Sequence, residues 1–454
     1  MLRLTKKEQM RRGPSTTGIM LSLAAVLCFA PAAGAAPKPG SHGVDRKKLA
    51  VQAEQVIEER NVIDVRKISR CTPAKRNGRV NYGKWTCFWR AEGLHPGEVP
   101  YACAGKARWK ANKDSWRIDG CTNAMQPQAP LLSVPNPEPI FGFNDNWIFL
   151  GDGVLDASKA AGGQVVRTSI PWSGVEATRG ELNWYGSDEL YRRLQERGMR
   201  PLWVLIGAPC WAQANPGACA NGKDELRPAA DRYGELADFA VKVAQRYPNS
   251  LAIEVWNEPN YPRFWGGPPE PERYADMLKT VGGALQSETA MTVVSAGLSP
   301  HSDNDTSGSI GYQEFLIELY DRGAIQYADA IGIHPYPGVG PNEDYIGDVR
   351  VQLGKIQNVL QRNGDSDRPL WATEFGVSTT GPHAFEPNHQ GSALVELYEL
   401  MRHINRIDLA IVHRFVEDTR LGGRENGFGI LNSNLVPKPA YCALAAVRGK
   451  SLSC

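Results

Sequence analysis

Ala252-Ile253-Glu254-Val255-Trp256-Asn257-Glu258-Pro259 is a short apolar run that closes on an amide, a carboxylate and a proline. Its β-branched and aromatic residues, stopped by a proline, read as a buried strand. Runs of the same kind recur on either side, at Ile140 to Phe143, Val165 to Ile170, Leu202 to Ile206, Met291 to Ala296, Ala330 to His334, Leu370 to Thr373 and Ala410 to Phe415. Stretches with helical spacing fill the gaps: Glu189 to Arg197, Ala229 to Arg246, Pro271 to Ser287, Tyr312 to Arg322, Val349 to Arg362 and Gln390 to Ile407. Strands that alternate with helices form a buried parallel sheet, and eight of them close a barrel. The spacing therefore predicts an α/β chain built on a (β/α)8 TIM barrel over 139–454. A doubly wound open sheet is the alternative, but no glycine-rich phosphate turn follows an early strand.

Composition narrows the class of partner. The chain has 454 residues, 42% of them hydrophobic, enough for a large core and an appendage. Lys and Arg number 51 against 49 Asp and Glu, so the overall charge makes no case for nucleic acid or an anionic membrane. The twelve Trp and fifteen Tyr point mildly to flat, partly apolar ligands such as sugar rings, although aromatic rings dominate core packing in any protein.

The amino terminus reads as an export signal, residues 1–35. Arg3, Lys6, Lys7, Arg11 and Arg12 precede an apolar run from Ile19 to Ala30, and Ala33-Gly34-Ala35 supplies the small residues of a cleavage site. An uncleaved anchor is the other reading, but Pro31 makes the run a poor spanning helix of the roughly 20 residues needed. The expectation is a secreted or cell-envelope protein with no membrane segment once the signal is removed. With Cys28 gone, eight cysteines remain, as expected for disulfides in an oxidising compartment. Cys210 with Cys219 and Cys442 with Cys454 are local pairs. Cys71, Cys87, Cys103 and Cys121 allow three connectivities, and nothing in the sequence chooses among them. No C-x-x-C or histidine at ligand spacing supports zinc there.

Those four cysteines fall in a basic, aromatic segment, 44–125, with helical spacing from Val44 to Val62. Strand-like stretches follow at Lys84 to Trp89, Ala107 to Trp109 and Trp116 to Ile118. This predicts a small disulfide-stapled α+β domain ahead of the barrel, joined to it by a proline-rich linker, 126–138. Trp85, Trp89, Trp109 and Trp116 beside Lys and Arg suggest contact with an acidic or cell-wall glycan. A spacer with those rings in its own core is the plain alternative.

The chemistry sits at the strand ends. Working residues of such barrels lie at the carboxyl ends of the strands, where Arg167, Asn257, Glu258, His334, Tyr336 and Glu374 all fall. Glu258 ends the fourth strand, and Glu374, in Trp371-Ala372-Thr373-Glu374-Phe375-Gly376, ends the seventh. Two carboxyl groups flanking one site suit glycosidic cleavage, in which one gives a proton to the leaving oxygen and the other meets the positive charge developing on the sugar. The same residue type fills both roles only if the two environments push the pKa values apart. Glu254 reads as either a solvated residue or a buried partner of Arg167.

From about Pro139 to Tyr441 the chain resembles the clan A glycoside hydrolases. Asn257-Glu258-Pro259 is similar to their Asn-Glu-Pro acid/base motif, and Thr373-Glu374-Phe375-Gly376 to their nucleophile motif. Ile333-His334-Pro335-Tyr336 and Pro437-Lys438-Pro439-Ala440-Tyr441 look most like family 5 and family 39 enzymes. The resemblance implies a retaining double displacement on a poly- or oligosaccharide, with Glu374 as nucleophile and Glu258 as acid/base. It also implies that Arg167 holds Glu374 ionised, Tyr336 donates to Glu374, Asn257 bonds the sugar 2-hydroxyl and His334 lines the same subsite.

The chain departs from that pattern in two places. His413-Arg414-Phe415-Val416-Glu417 has no tryptophan where many clan members carry the floor of the sugar subsite, leaving Arg414 or Phe415 for that position. Gly207-Ala208-Pro209-Cys210-Trp211 lacks the family 5 histidine, and Trp211 is then expected to supply a stacking surface, with Trp172, Trp184 and Trp265 as further candidates. A glycan-binding protein with little turnover, and a transglycosylase, are the other functional readings. Asp303-Asn304-Asp305 is oxygen-rich but lacks the glycine and glutamate of a calcium loop. No cofactor or metal is expected.

Overall fold

A computed structural model describes residues 65–76, 79–93, 101–110, 115–119, 128–145, 151–213, 227–300 and 307–452. The expected signal peptide, the helix from Val44 to Val62 and the Asp303 loop lie outside these residues.

The amino-terminal segment is described as an antiparallel sheet in the order β1 (Val65–Arg76), β2 (Arg79–Gly93), β3 (Tyr101–Lys110) and β4 (Ser115–Asp119). The short strands read from sequence fall on β2, β3 and β4, and the described part is all β rather than α+β. A hydrogen-bonded ladder holds it, and the expected disulfide staple finds no support there. In the remainder of the chain Cys210 and Cys442 are each disulfide-bonded, while Cys219 and Cys454 lie outside the described residues.

Residues 128–139 run extended along the barrel. Their backbone is strapped to it, with Ala129 N–H donating to the Arg350 carbonyl, Leu132 to His403 and Asn136 to Arg402. The described part of the expected linker is thus tied down on the barrel.

Eight parallel strands follow: β5 (Ile140–Asn144), β6 (Val165–Pro171), β7 (Arg200–Ile206), β8 (Ala252–Asn257), β9 (Val293–Gly297), β10 (Ile331–Ile333), β11 (Leu370–Phe375) and β12 (Ile407–His413). Each but β9 pairs with the next, and β12 pairs with β5. Bridges from Val294 to Ala330 and Leu298 to Ile333 close the ring between β9 and β10, giving the expected (β/α)8 barrel. Helices cover it, among them Tyr185–Glu196, Tyr233–Arg246, Pro271–Glu288, Tyr345–Arg362 and Pro387–Arg402. Each turns one apolar stripe inward; in Pro271–Glu288 this is Tyr274, Ala275, Met277, Leu278, Val281 and Leu285, all buried at the spacing of a helix face. Side chains of this kind contribute about 1.5–3 kcal/mol each on full burial. The sequence reading omits the helices Asp152–Ala160 and Pro439–Val447.

Period-two alternation positions the site. Val165, Leu202, Ala252, Val294, Trp371, Leu409 and Ile411 share one apolar cluster inside the barrel. Two residues further along the same faces stand Arg167, Glu254, Thr373 and His413, so the interior changes from apolar to polar toward the carboxyl ends. The strands can approach this closely partly because Gly142 lacks a side chain, since a Cβ there would lie 2.2 Å from the Val165 carbonyl oxygen.

Candidate active site

Arg167 is the hub of the site. It is 3% exposed, and its guanidinium grips Glu254, with Nε donating to Oε2 at 2.7 Å and Nη2 to Oε1 at 2.9 Å. Nη2 also donates to Asn257 Oδ1 at 2.8 Å, and Nη1 to Glu374 Oε1 at 2.5 Å. Glu254 is fully buried and accepts further from the Gly297 N–H at 2.8 Å and Thr373 Oγ1 at 3.2 Å. It is thus a structural anchor for Arg167 rather than a solvated residue. A guanidinium so desolvated is costly unless fully paired, and here two carboxylates pair it.

Glu374 collects donors on both oxygens. Asn144 Nδ2 donates to Oε1 at 2.8 Å, beside the Arg167 bond, and Tyr336 Oη donates to Oε2 at 2.6 Å. Burial alone would raise this carboxyl. Electrostatic interaction with the His334 and His413 rings and with Arg167, together with the Tyr336 hydrogen bond, outweighs it and holds Glu374 well below the ordinary carboxylate range. Burial, with the Glu374 charge beside it, pushes the Tyr336 phenol far up, so Tyr336 stays a donor.

Glu258 is placed differently. Among the described residues its carboxylate has one hydrogen-bond partner, His334 Nδ1, at 2.8 Å from Oε1. His334 is completely buried, and its Nδ1 is also 3.6 Å from Glu374 Oε2. Its ring fits because residue 297 is glycine; a Cβ there would stand 2.0 Å from Nε2. Nε2 has no hydrogen-bond partner, which puts the ring proton on Nδ1. One oxygen of Glu258, one of Glu374 and a ring nitrogen of His334 lie within 4.8 Å of one another.

That triad has the composition of a metal site. Glu374 Oε2, the oxygen nearer His334, already accepts from Tyr336, however, and His334 Nδ1 is turned to Glu258, so a cation would have to displace these contacts.

Local backbone departures aim both glutamates. In a regular strand Asn257 and Glu258 would point to opposite faces. Trp256 and Glu258 instead take left-handed φ values of 76° and 41°, so both side chains reach the same cluster. For non-glycine residues such geometry costs on the order of 1–3 kcal/mol each. On β11 the pairing with β12 slips by one residue between Ala372 and Phe375, and this bulge lets Thr373 and Glu374 face the cluster together.

Of the residues expected from sequence, the structure brings Arg167, Asn257, Glu258, His334, Tyr336 and Glu374 together. Trp211 is apart from them. It is half-buried, its indole N–H donates to the Glu176 carbonyl at 3.1 Å, and it packs edge-on to Trp172 at 5.0 Å with Arg179 over its ring at 5.5 Å. Trp172 and Trp265 are buried in the core, leaving no ring face for a sugar, and Trp184 stacks on Phe239. Neither candidate after the eighth strand forms a floor: Phe415 packs on Phe143, and Arg414 is buried against Asp145.

Three residues escaped the sequence reading. Asn144, one position beyond the expected end of the first strand, lies in register between Arg167 and His413. His413 ends β12, with Nδ1 2.9 Å from Asn144 Nδ2 and 3.6 Å from Glu374 Oε2. Glu425, in a short turn at Gly423–Gly427, is 3.5 Å from His413 Nε2. Burial would lower the His413 pKa, but Glu374 and Glu425 on either side raise it. At rest the Asn144 amide donates to both Glu374 and His413 Nδ1, which fits a neutral ring with its proton on Nε2. The raised pKa describes how readily a second proton is taken up as pH falls.

No protein family and no curated protein matches the sequence. Solved structures do match the fold. A family 39 glycoside hydrolase from Bacteroides cellulosilyticus WH2 aligns over 84% of this chain and 79% of its own, at 20% identity and a TM-score of 0.52. A GH39 enzyme from Xanthomonas axonopodis pv. citri aligns over 70% and 68%, at 16% identity and a TM-score of 0.51. A monomeric β-xylosidase from Caulobacter crescentus CB15 aligns over 71% and 69%, at 15% identity and a TM-score of 0.50. The chain has the barrel fold found in these glycoside hydrolases.

Proposed function

We propose that the protein is a retaining glycoside hydrolase that cleaves β-linked units of a poly- or oligosaccharide. One observation carries this reading: oxygens of Glu258 and Glu374 approach within 4.8 Å, one carboxylate ringed by donors and the other held by a single histidine. Retaining sites keep their carboxyl groups roughly 5–5.5 Å apart, whereas inverting sites leave about 6.5–9.5 Å for a water.

Glu374, ionised, attacks the anomeric carbon as the bond to the leaving oxygen breaks. Glu258 delivers its proton to that oxygen, so the aglycone departs as an alcohol. Glu258, now a carboxylate accepting from His334 Nδ1–H, takes a proton from water as the water oxygen attacks the same carbon and frees Glu374. Arg167, Asn144 and Tyr336 keep Glu374 ionised and aimed. Asn257, oriented by Arg167, offers its amide N–H to the 2-hydroxyl, a bond that strengthens in the transition state. Export by the amino-terminal signal, and glycan contact by the amino-terminal sheet, belong to the same proposal and rest on the sequence.

The test is hydrolysis of a panel of aryl β-glycosides with proton NMR of the first-formed anomer, and mass spectrometry after incubation with 2,4-dinitrophenyl 2-deoxy-2-fluoro-β-glycosides. Net retention with label on Glu374 is expected. Inversion, or label elsewhere, overturns the mechanism; glycan binding with no turnover favours a binding protein.

A further inference from the structure

Glu425 has no part in the displacement, yet it faces the site. Its side chain is 43% exposed, and it lies close enough to Glu374, Tyr336 and Arg263 for their charges to act on one another. Arg263 follows the fourth barrel strand and Glu425 the eighth. Its turn is anchored from several directions. The Gln390 side-chain amide donates to the carbonyls of Val377, Gly427 and Phe428 at 3.1–3.2 Å, and Ser378 Oγ donates to the Arg424 carbonyl at 2.6 Å. Thr379 N–H adds a bond to the Gly427 carbonyl. A ring cluster of Tyr336, His413 and Phe428 backs the turn, with centroids 5.0–5.8 Å apart.

A relay links this turn to the nucleophile. Asn144 donates to Glu374 and to His413 Nδ1, which directs the His413 Nε2–H at Glu425. The last contact, at 3.5 Å, is longer than a full hydrogen bond, so the Glu425 oxygens keep acceptor capacity. The His413 imidazole lies between Glu374 and Glu425, with Nδ1 3.6 Å from Glu374 Oε2 and Nε2 3.5 Å from Glu425 Oε2.

We propose that Glu425, oriented by His413, is the specificity-determining residue of the pocket: it accepts hydrogen bonds from the vicinal hydroxyls of the sugar remote from the anomeric carbon and selects a neutral glycone over a uronic acid. A carboxylate satisfies two adjacent O–H donors at once. It also repels a sugar carboxylate, a rejection that Glu374 in the same pocket reinforces. This inference rests on the glycosidase reading.

The experiment compares wild type, Glu425→Gln and Glu425→Ala on 2,4-dinitrophenyl β-D-xylopyranoside, β-D-glucopyranoside, their 4-deoxy analogues and the β-D-glucuronide, with thermal unfolding of each protein. Wild type is expected to prefer the parent sugars over the 4-deoxy analogues by roughly 10- to 100-fold in kcat/KM, the range for a hydrogen bond to a charged group. In Glu425→Ala that preference collapses, and in Glu425→Gln the glucuronide gains on the neutral sugars. Unchanged discrimination in both folded variants overturns the role of Glu425 while leaving the glycosidase reading intact. A wild type that neither turns over nor is labelled on Glu374 by the fluorosugars overturns both.

Discussion

The ends of β8 and β11 carry the same residue type to the same cluster by different means. On β11 a one-residue bulge turns Glu374 inward, where Arg167, Asn144 and Tyr336 meet it. On β8 two left-handed residues turn Glu258 inward, and a single imidazole meets it. The backbone decides which side chains arrive; the number and charge of the donors decide what each carboxyl does there. A glutamate facing a guanidinium, an amide and a phenol is kept as an anion. The other, on β8, has a single histidine as its hydrogen-bond partner among the described residues.

The largest effect tests the β11 side. Glu374→Gln should lower kcat by about 10⁴-fold or more on every substrate, because the covalent route is lost. Loss confined to poor leaving groups would exchange the two assignments. The β8 side should behave otherwise. Glu258→Ala should cost roughly 10²- to 10⁴-fold on glycosides with poor leaving groups and far less on dinitrophenyl glycosides, whose departure needs no proton. Added azide should restore turnover in that variant by replacing water. Equal losses across leaving groups would break the contrast.

Arg167 joins the two sides, and its removal is expected to appear as instability. Arg167→Met leaves Glu254 buried without its cation, at a cost of about 3–5 kcal/mol in urea unfolding. The double change Arg167→Met, Glu254→Gln should recover part of that stability without recovering activity, since Glu374 still lacks the guanidinium. Full recovery of activity would mean that Arg167 serves the fold alone.

Much of the fold was legible because a buried strand and an amphipathic helix announce themselves by period. All eight barrel strands were found, with ends misplaced by one to three residues. One such boundary hid Asn144, since a strand ended at Phe143 places the amide in a loop. The helix Asp152–Ala160 was missed because its polar residues dilute the apolar stripe, with Val154, Leu155 and Ser158 its only buried positions. At the site, Glu258 and Glu374 were legible as strand-end carboxylates beside motif residues. The bulge and the left-handed residues that aim them were not, because β11 has no glycine at the bulge and β8 none at its turn. Tryptophans misled for a physical reason: a ring after a barrel strand serves a sugar or the core equally well by composition, and Trp172 and Trp265 went to the core. His413 and Glu425 meet only in three dimensions.

The smallest expected effect lies in the pH profile. Tyr336 donates to Glu374 and is one of the contacts that hold its pKa down, against burial, which would raise it. A depressed carboxyl contributes stability that is present above its unfolded value, near 4.5, and is lost as pH falls through the folded value. Tyr336→Phe removes one donor and leaves Arg167 and Asn144, so the Glu374 pKa should rise part of the way. The acid limb of kcat/KM should then move to higher pH, with roughly a tenfold loss at the optimum. Stability should fall less steeply on acidification than in wild type, because a smaller gap then separates the folded and unfolded values. The basic limb should stay where it is, because the Tyr336 phenol, pushed up by burial and by Glu374, does not ionise in the working range. Coincident acid limbs would mean that Arg167 and Asn144 alone set the charge of Glu374, and the contrast between β8 and β11 would rest on the guanidinium and the amide rather than on a ring of three donors.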